Sequence, residues 1–243
     1  MNNYKVQLHC HSGSDPEDCL FHSDKDVIDR AALHGYDVLA LTCHNTVVHT
    51  KELEHYAKRK GILLLPGIEK TVEKKHVLIV NAAKEAEFVH TFTDLENYKK
   101  NHPQSLIIAP HPYHPLPIKL VSLGNYVEQY AHLFDAIEWS SFYSTYGKFN
   151  KKAQKKAEKL NIPMIGTADN HVLRYLNHTF SLVRAPQKTT HDIVQAVKKG
   201  HIEIQTKPMN LFMLGGMTAR LLTLEYGRKA FRHIINRFRR SRS

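Results

Sequence analysis

Little in this chain is suited to covalent cross-linking or to a lipid bilayer. Its three cysteines, Cys10, Cys19 and Cys43, are too few and of the wrong parity for a disulfide framework. No apolar run approaches the roughly 20 residues that a spanning helix needs. No repeat, low-complexity tract or interdomain linker divides the sequence, and Met1–Lys5 pass directly into a strand-like run, so no signal peptide is expected. A reducing, cytoplasmic location is the expectation. The 243 residues fit one large domain, and 42% hydrophobic with 23% charged residues is an ordinary globular balance.

Histidine, by contrast, is abundant, with 18 in the chain, and its placement is regular. His9-x-His11 follows the run Tyr4–Leu8, and His44 follows Val38–Thr42. His111 follows Leu106–Pro110, Asp169-x-His171 follows Ile162–Thr167, and Glu69 closes Ile62–Gly67. Short apolar runs thus end, again and again, in groups able to bind a metal. In a barrel of parallel strands the strand C-terminal ends converge on one face, where active sites are assembled. The spacing of runs and amphipathic stretches predicts strands near residues 5–8, 38–41, 62–65, 76–81, 106–109, 134–138, 162–166, 180–183 and 202–205. Helices are expected from Ser23-Asp24 onward and near 49–59, 93–100, 150–160 and 189–199. Such alternation implies parallel strands joined by right-handed crossovers. Ligands after many different strands favour a barrel over an open sheet, which gathers its ligands at one switch point.

Residues two apart near a strand end share a face, so His9 with His11, and Asp169 with His171, can each grip one ion. A carboxylate such as Glu69 has two oxygens and can bridge two cations. The prolines around His111 fix its backbone. Mixed imidazole and carboxylate ligation suits two or three divalent ions of Zn, Mn or Fe. Such ions lower the pKa of a bound water and neutralise phosphoryl charge. Arg174 is the candidate phosphate ligand, with Lys70 beside Glu69 a second candidate. Glu138 is placed to support the cluster, and Trp139, Phe142, Tyr143 and Tyr146 either stack on a base or pack the rim.

The motifs His9-Cys10-His11, Thr42-Cys43-His44, Gly67-Ile68-Glu69, His76-Val77-Leu78, Pro110-His111-Pro112 and Asp169-Asn170-His171 resemble, in kind and in order, those of the PHP (polymerase and histidinol phosphatase) family. The resemblance covers about residues 4–206. It implies a distorted (β/α)7 barrel that cleaves phosphate esters. It also implies one ion on His9, His11, Glu69 and Asp169, and a second on Glu69, His76 and His111. A third ion would lie on His44, His171 and a residue of the first loop, for which Asp18 is preferred over Asp15 or His22. His44, His171 and Glu69 are the expected catalytic groups, the imidazoles as proton donors to the leaving oxygen. Two departures stand out. Cys43 occupies the place of the family's usual aspartate before the histidine, and the first-loop aspartates fall off the usual spacing.

Charge is uneven. Residues 219–243 hold eight Arg/Lys against Glu225, seven of the eleven net positive charges. The chain therefore divides into a barrel domain, 1–207, and a basic amphipathic extension, 208–243. That extension either docks on the barrel or contacts an anionic surface, membrane or nucleic acid. The leading expectation is a metal-dependent phosphoesterase acting on a small phosphorylated metabolite, a nucleotide or a short oligonucleotide. The alternatives are a catalytically weak PHP-like binding module and a metal hydrolase acting on C–N or C–O bonds.

Overall fold

A computed structural model describes residues 1–114, 120–141, 143, 149–210, 215, 216 and 219. Nearly all of the basic extension expected over 208–243 lies outside the described residues.

The helices begin where hydroxyl side chains can cap them. Ser23, Thr50, Thr91 and Thr189 each accept a hydrogen bond from the third backbone N–H of α1 (Asp24–Leu33), α2 (Lys51–Arg59), α3 (Phe92–Asn101) and α6 (Thr190–Lys198). A short α4 (Tyr126–Gln129) and the longer α5 (Phe149–Leu160) lie between α3 and α6. The nine strands are β1 (Asn2–Gln7), β2 (Val38–Leu41), β3 (Leu63–Val72), β4 (Lys75–Val80), β5 (Leu106–Ala109), β6 (Ala136–Ser140), β7 (Met164–Thr167), β8 (Thr179–Ala185) and β9 (Ile202–Thr206). They form one sheet in the order β7-β6-β5-β4-β3-β2-β1-β8-β9, curled into a nearly closed barrel. Among described residues, no helix is long and apolar enough to cross a membrane.

The strands are not all parallel, as simple alternation predicts. The pairs β1-β2, β2-β3, β5-β6 and β6-β7 are parallel, but β4 runs antiparallel to β3 and β5, and β8 antiparallel to β1 and β9. The cause at β4 is local. Only Glu73 and Lys74 separate it from β3, both at positive φ (46° and 67°), which makes a tight hairpin turn and leaves no length for a crossover helix. This reversal brings the first residues of β4, His76 among them, to the face where β2 and β3 end.

Alternating side chains build two layers. Val6, Val38, Ala40, Leu65, Leu78, Val80, Leu106, Ile108, Ala136 and Ile165 pack together inside the barrel, with Ile193, Val194 and Val197 of α6 closing its lower end. Leu39, Leu41 and Leu64 face outward against Val27, Ile28 and Ala31 of α1 and Leu53 and Ala57 of α2. On the opposite side Ile107 and Ile137 pack against Phe92 and Leu95 of α3 and Ala153 and Ala157 of α5. The seam between β7 and β8 is closed by side chains instead of a ladder. Gly166 N–H donates to Ser181 Oγ (2.8 Å), which donates back to the Gly166 carbonyl (3.0 Å). A Cβ on Gly166 would stand 2.6 Å from Ile204 Cγ2, so only glycine allows this approach. Gln7 Nε2 donates to the carbonyls of Leu176 and Thr179, while its Oε1 accepts from Ala168 N–H.

Candidate metal centre

The upper ends of six strands deliver a cluster of imidazoles and carboxylates. His9 and His11, just beyond β1, are fully buried. Their Nε2 atoms lie 3.2 Å apart. Asp169 Oδ1 is 3.3 Å from His9 Nε2 and 3.2 Å from His11 Nε2, and Glu69 Oε2 is 3.4 and 3.3 Å from the same two nitrogens. Glu69 comes from the upper half of β3 and faces two ways. Its Oε2 also approaches His44 Nε2 at 3.1 Å, while Oε1 approaches His76 Nδ1 at 2.8 Å and His111 Nε2 at 2.9 Å. One buried carboxylate thus has imidazoles on both oxygens.

Around this core stand residues that fix the rings. Glu138, directed inward from β6, accepts from His9 Nδ1 at 3.1 Å, from the backbone N–H of His111 and from Thr167 Oγ1. Asp15 Oδ2 accepts from His11 Nδ1, His44 Nδ1 and His44 N–H, each at 2.9 Å. Its Oδ1 accepts from the backbone N–H groups of Glu17 and Asp18, the turn that Asp-Pro chemistry suggests. Asp15 is therefore both turn and support. The loop it sits in is closed by Gly13 N–H donating to the His22 carbonyl at 2.7 Å. A Cβ on Gly13 would lie 2.8 Å from that oxygen.

The sequence candidates divide as follows. His9, His11, His44, Glu69, His76, His111 and Asp169 come together. Asp18 Oδ2 meets His171 Nε2 at 2.8 Å and lies 3.7 Å from His44 Nδ1, so this pair sits at one edge of the cluster. His44 turns its Nε2 to Glu69 and its Nδ1 to Asp15. His22 donates from Nε2 to the His11 carbonyl (3.1 Å) and so braces the backbone. Arg174 lies over the Tyr175 ring, 4.6 Å from its centroid. Lys70 Nζ donates to the Glu87 carbonyl, because its side chain leaves β3 opposite to Glu69. Trp139 points outward and lines a cavity of about 720 Å³ between α5, β7 and β9. Tyr143 packs edge-on against that indole, and Phe142 and Tyr146 lie outside the described residues. Buried Cys43 places Sγ 3.3 Å from Ser12 Oγ, and Asp15 supplies the carboxylate at His44. His114 is a further histidine near the cluster. It is buried with its ring edge-on to His111 at 6.3 Å, and its only signal is the motif Pro112-Tyr113-His114-Pro115.

The electrostatics call for positive charge. Burial alone would strip His9 of its proton, but the carboxylates of Asp169, Glu69 and Glu138 outweigh it and push the pKa up to about 10. His44 is likewise raised to about 10 against burial, by Glu69 and Asp15. Burial works against ionised Glu69 too, yet the imidazoles of His76, His9 and His44 hold it well below the usual range. Asp18 falls to about 2 despite burial, through His171. Cations meet the same demand as ring protons. With each Nδ1–H donating to a carboxylate, the Nε2 lone pairs of His9 and His11 face one another, and buried Asp169 Oδ1 accepts no hydrogen bond. This donor set fits divalent ions. Four groups bring their ligand atoms within 4.8 Å of one another: His9/His11/Asp169, His9/Glu69/His111, His44/Glu69/His76 and His11/Asp15/Asp18/His44. His111 (φ 28°) and Asp169 (φ 47°) hold left-handed backbone, strain that persists where surroundings enforce it, typically at functional sites.

Comparison with known proteins bears on the fold. Residues 147–202 match the PHP-associated family. No curated protein matches the sequence. Among solved structures, the chain is similar to a two-domain protein of Bacteroides vulgatus containing a predicted PHP-like metal-dependent phosphoesterase (TM-score 0.65, 18% identity, 84% of this chain and 65% of that one). It therefore spans just under two thirds of that protein's length. It is also similar to the lesion-specific endonuclease EndoQ of Pyrococcus furiosus (0.57, 15%, 84% and 58%) and to an amidohydrolase of Chromobacterium violaceum (0.58, 14%, 82% and 97%). The fold is thus similar to that of a protein with a predicted PHP-like metal-dependent phosphoesterase, and the PHP-associated match falls on the region of α5 to β9.

Proposed function

We propose that the chain is a metal-dependent phosphoesterase that hydrolyses a phosphate mono- or diester at the Glu69 cluster. The observation that carries this reading is the Glu69 carboxylate itself, with His9, His11 and His44 on one oxygen and His76 and His111 on the other. His9, His11, Glu69 and Asp169 would hold one divalent ion, and Glu69, His76 and His111 a second, drawn from Zn, Mn or Fe. Bound there, such ions acidify a water and offset charge on the phosphoryl oxygens.

The remaining work falls to the protein. Glu138 and Asp15 fix which ring nitrogen of His9, His11 and His44 faces the cluster, as outer carboxylates do for ligating histidines. His171 stands at the edge with Nε2 on Asp18. From there it passes a proton to the leaving oxygen, with His44 the second candidate. The barrel wall keeps the inner rings out of bulk water, which strengthens every charge interaction within.

The test is phosphate or nitrophenolate release from chromogenic mono- and diesters by the wild-type chain and His9→Ala, each reconstituted with Zn, Mn or Fe. Turnover lost in the variant supports the reading. Cleavage of C–N substrates with none of phosphate esters would replace it with an amide hydrolase, the activity named for the Chromobacterium protein. No turnover on either class overturns the enzymatic reading.

A further inference from the structure

The twelve residues of α5 hold five lysines, Lys151, Lys152, Lys155, Lys156 and Lys159, against Glu158 alone. Each of α1, α2, α3, α4 and α6 is within one charge of balance. Lys156 and Lys159 share the carboxylate of Glu128, at 2.6 and 3.0 Å. Lys151, Lys152 and Lys155 are exposed and have no acidic partner among the described residues. At 3.6 residues per turn, Lys151, Lys155, Lys159 and Lys152 fall within an arc of about 100°, and the first three step along the axis by about 6 Å each. Like charges four residues apart weaken a helix, so nothing internal to α5 favours this row.

The N-terminal end of the row lies against the segment that carries His111. Lys152 Nζ lies over the Tyr113 ring at 4.6 Å, and Tyr113 is two residues beyond His111. No described side chain on the exposed face of α5 is apolar, which disfavours a lipid surface, since interfacial helices pair basic residues with buried apolar ones. A row of ammonium groups, three of them without an acidic partner among the described residues, near a phosphoester-cleaving site matches a chain of phosphates.

We infer that the exposed lysine face of α5 is a phosphate track that leads a single-stranded nucleic acid to the Glu69 cluster. The inference rests on the phosphoesterase reading and narrows its substrate to a polyanionic strand. Charge, and not base identity, sets the recognition.

Binding is measured by fluorescence anisotropy on the full chain. The probe is a labelled single strand of roughly 12 nucleotides, within common site sizes, with phosphorothioate linkages that resist cleavage, titrated across salt concentrations. Each phosphate contact contributes about 0.7 to the slope of log K against log salt. The variant K151Q/K152Q/K155Q should therefore lower the slope by about 2, while K151R/K152R/K155R keeps it. An unchanged slope in the glutamine variant, or no binding by the wild-type chain, overturns the track. Turnover of bis-p-nitrophenyl phosphate by the wild-type chain reads the phosphoesterase assignment separately. Ester cleavage without strand binding ends the track alone, whereas strand binding that depends on the lysines without ester cleavage ends the assignment and leaves the track.

Discussion

Val38 and Ala40 face the barrel interior, as do Leu65, Leu78, Ala136 and Ile165. Continuing each row by twos reaches Glu69, His76 and Glu138 within their strands, so strand alternation aims these three inward, and the same parity reaches His44 and Asp169 past the ends of β2 and β7. Three ligands break that rule. The inward rows of β1 and β5 run through Val6 and Leu8 and through Leu106 and Ile108, which leaves His9, His11 and His111 on the outward parity. β1 ends at Gln7 and β5 at Ala109, so all three rings are set by irregular backbone, and φ at His111 is 28°. The sequence shows which residues meet here, because run-then-ligand patterns are visible in it. It does not show Asp15 as the shared support of His11 and His44, since Asp-Pro reads as a turn and only one of its oxygens serves the turn. Asp15→Asn removes the charge that orients two rings and should weaken metal affinity by about 10–100-fold, measured by competition with a chromogenic chelator. An affinity equal to wild type would remove Asp15 from the support.

Among the elements, caps and spacings were legible and strand direction was not. Ser23 caps α1 where its pattern places it, and the strands fall close to their predicted positions. The two-residue link Glu73-Lys74 was the sign of a hairpin, and without it the all-parallel expectation leaves His76 at the wrong end of its strand. Closure between β7 and β8 rests on Gln7 and Ser181, polar residues inside strand-like runs that carry no periodic signal. Gln7→Leu strands the Ala168 N–H and the carbonyls of Leu176 and Thr179 in the wall, a loss of about 3 kcal/mol. For a chain of this size the melting temperature should fall by about 6–12 °C, read by circular dichroism. A fall below the single-substitution noise would show that the seam closes without Gln7.

For the molecule as a whole, five buried or nearly buried carboxylates and six imidazoles converge at one end of the barrel, so stability and metal content are coupled. Ions that bind only the folded chain stabilise it by about 2.7 kcal/mol at a free concentration one hundred times Kd. The metal-loaded protein should therefore melt about 5–10 °C above the chelator-treated protein, and equal melting temperatures would mean that the cluster is satisfied by ring protons alone. The fold class follows from alternation and ligand order, both present in the sequence. The substrate does not, because the lysine face of α5 that we assign to it comes together with the Glu69 cluster only on folding.

The central claim is that one carboxylate is shared by two ions, and anomalous scattering from crystals grown with Mn²⁺ tests it directly. The account predicts one peak among His9, His11, Glu69 and Asp169 and a second among Glu69, His76 and His111. Manganese bound elsewhere, or a cluster without anomalous density under saturating metal, would contradict it.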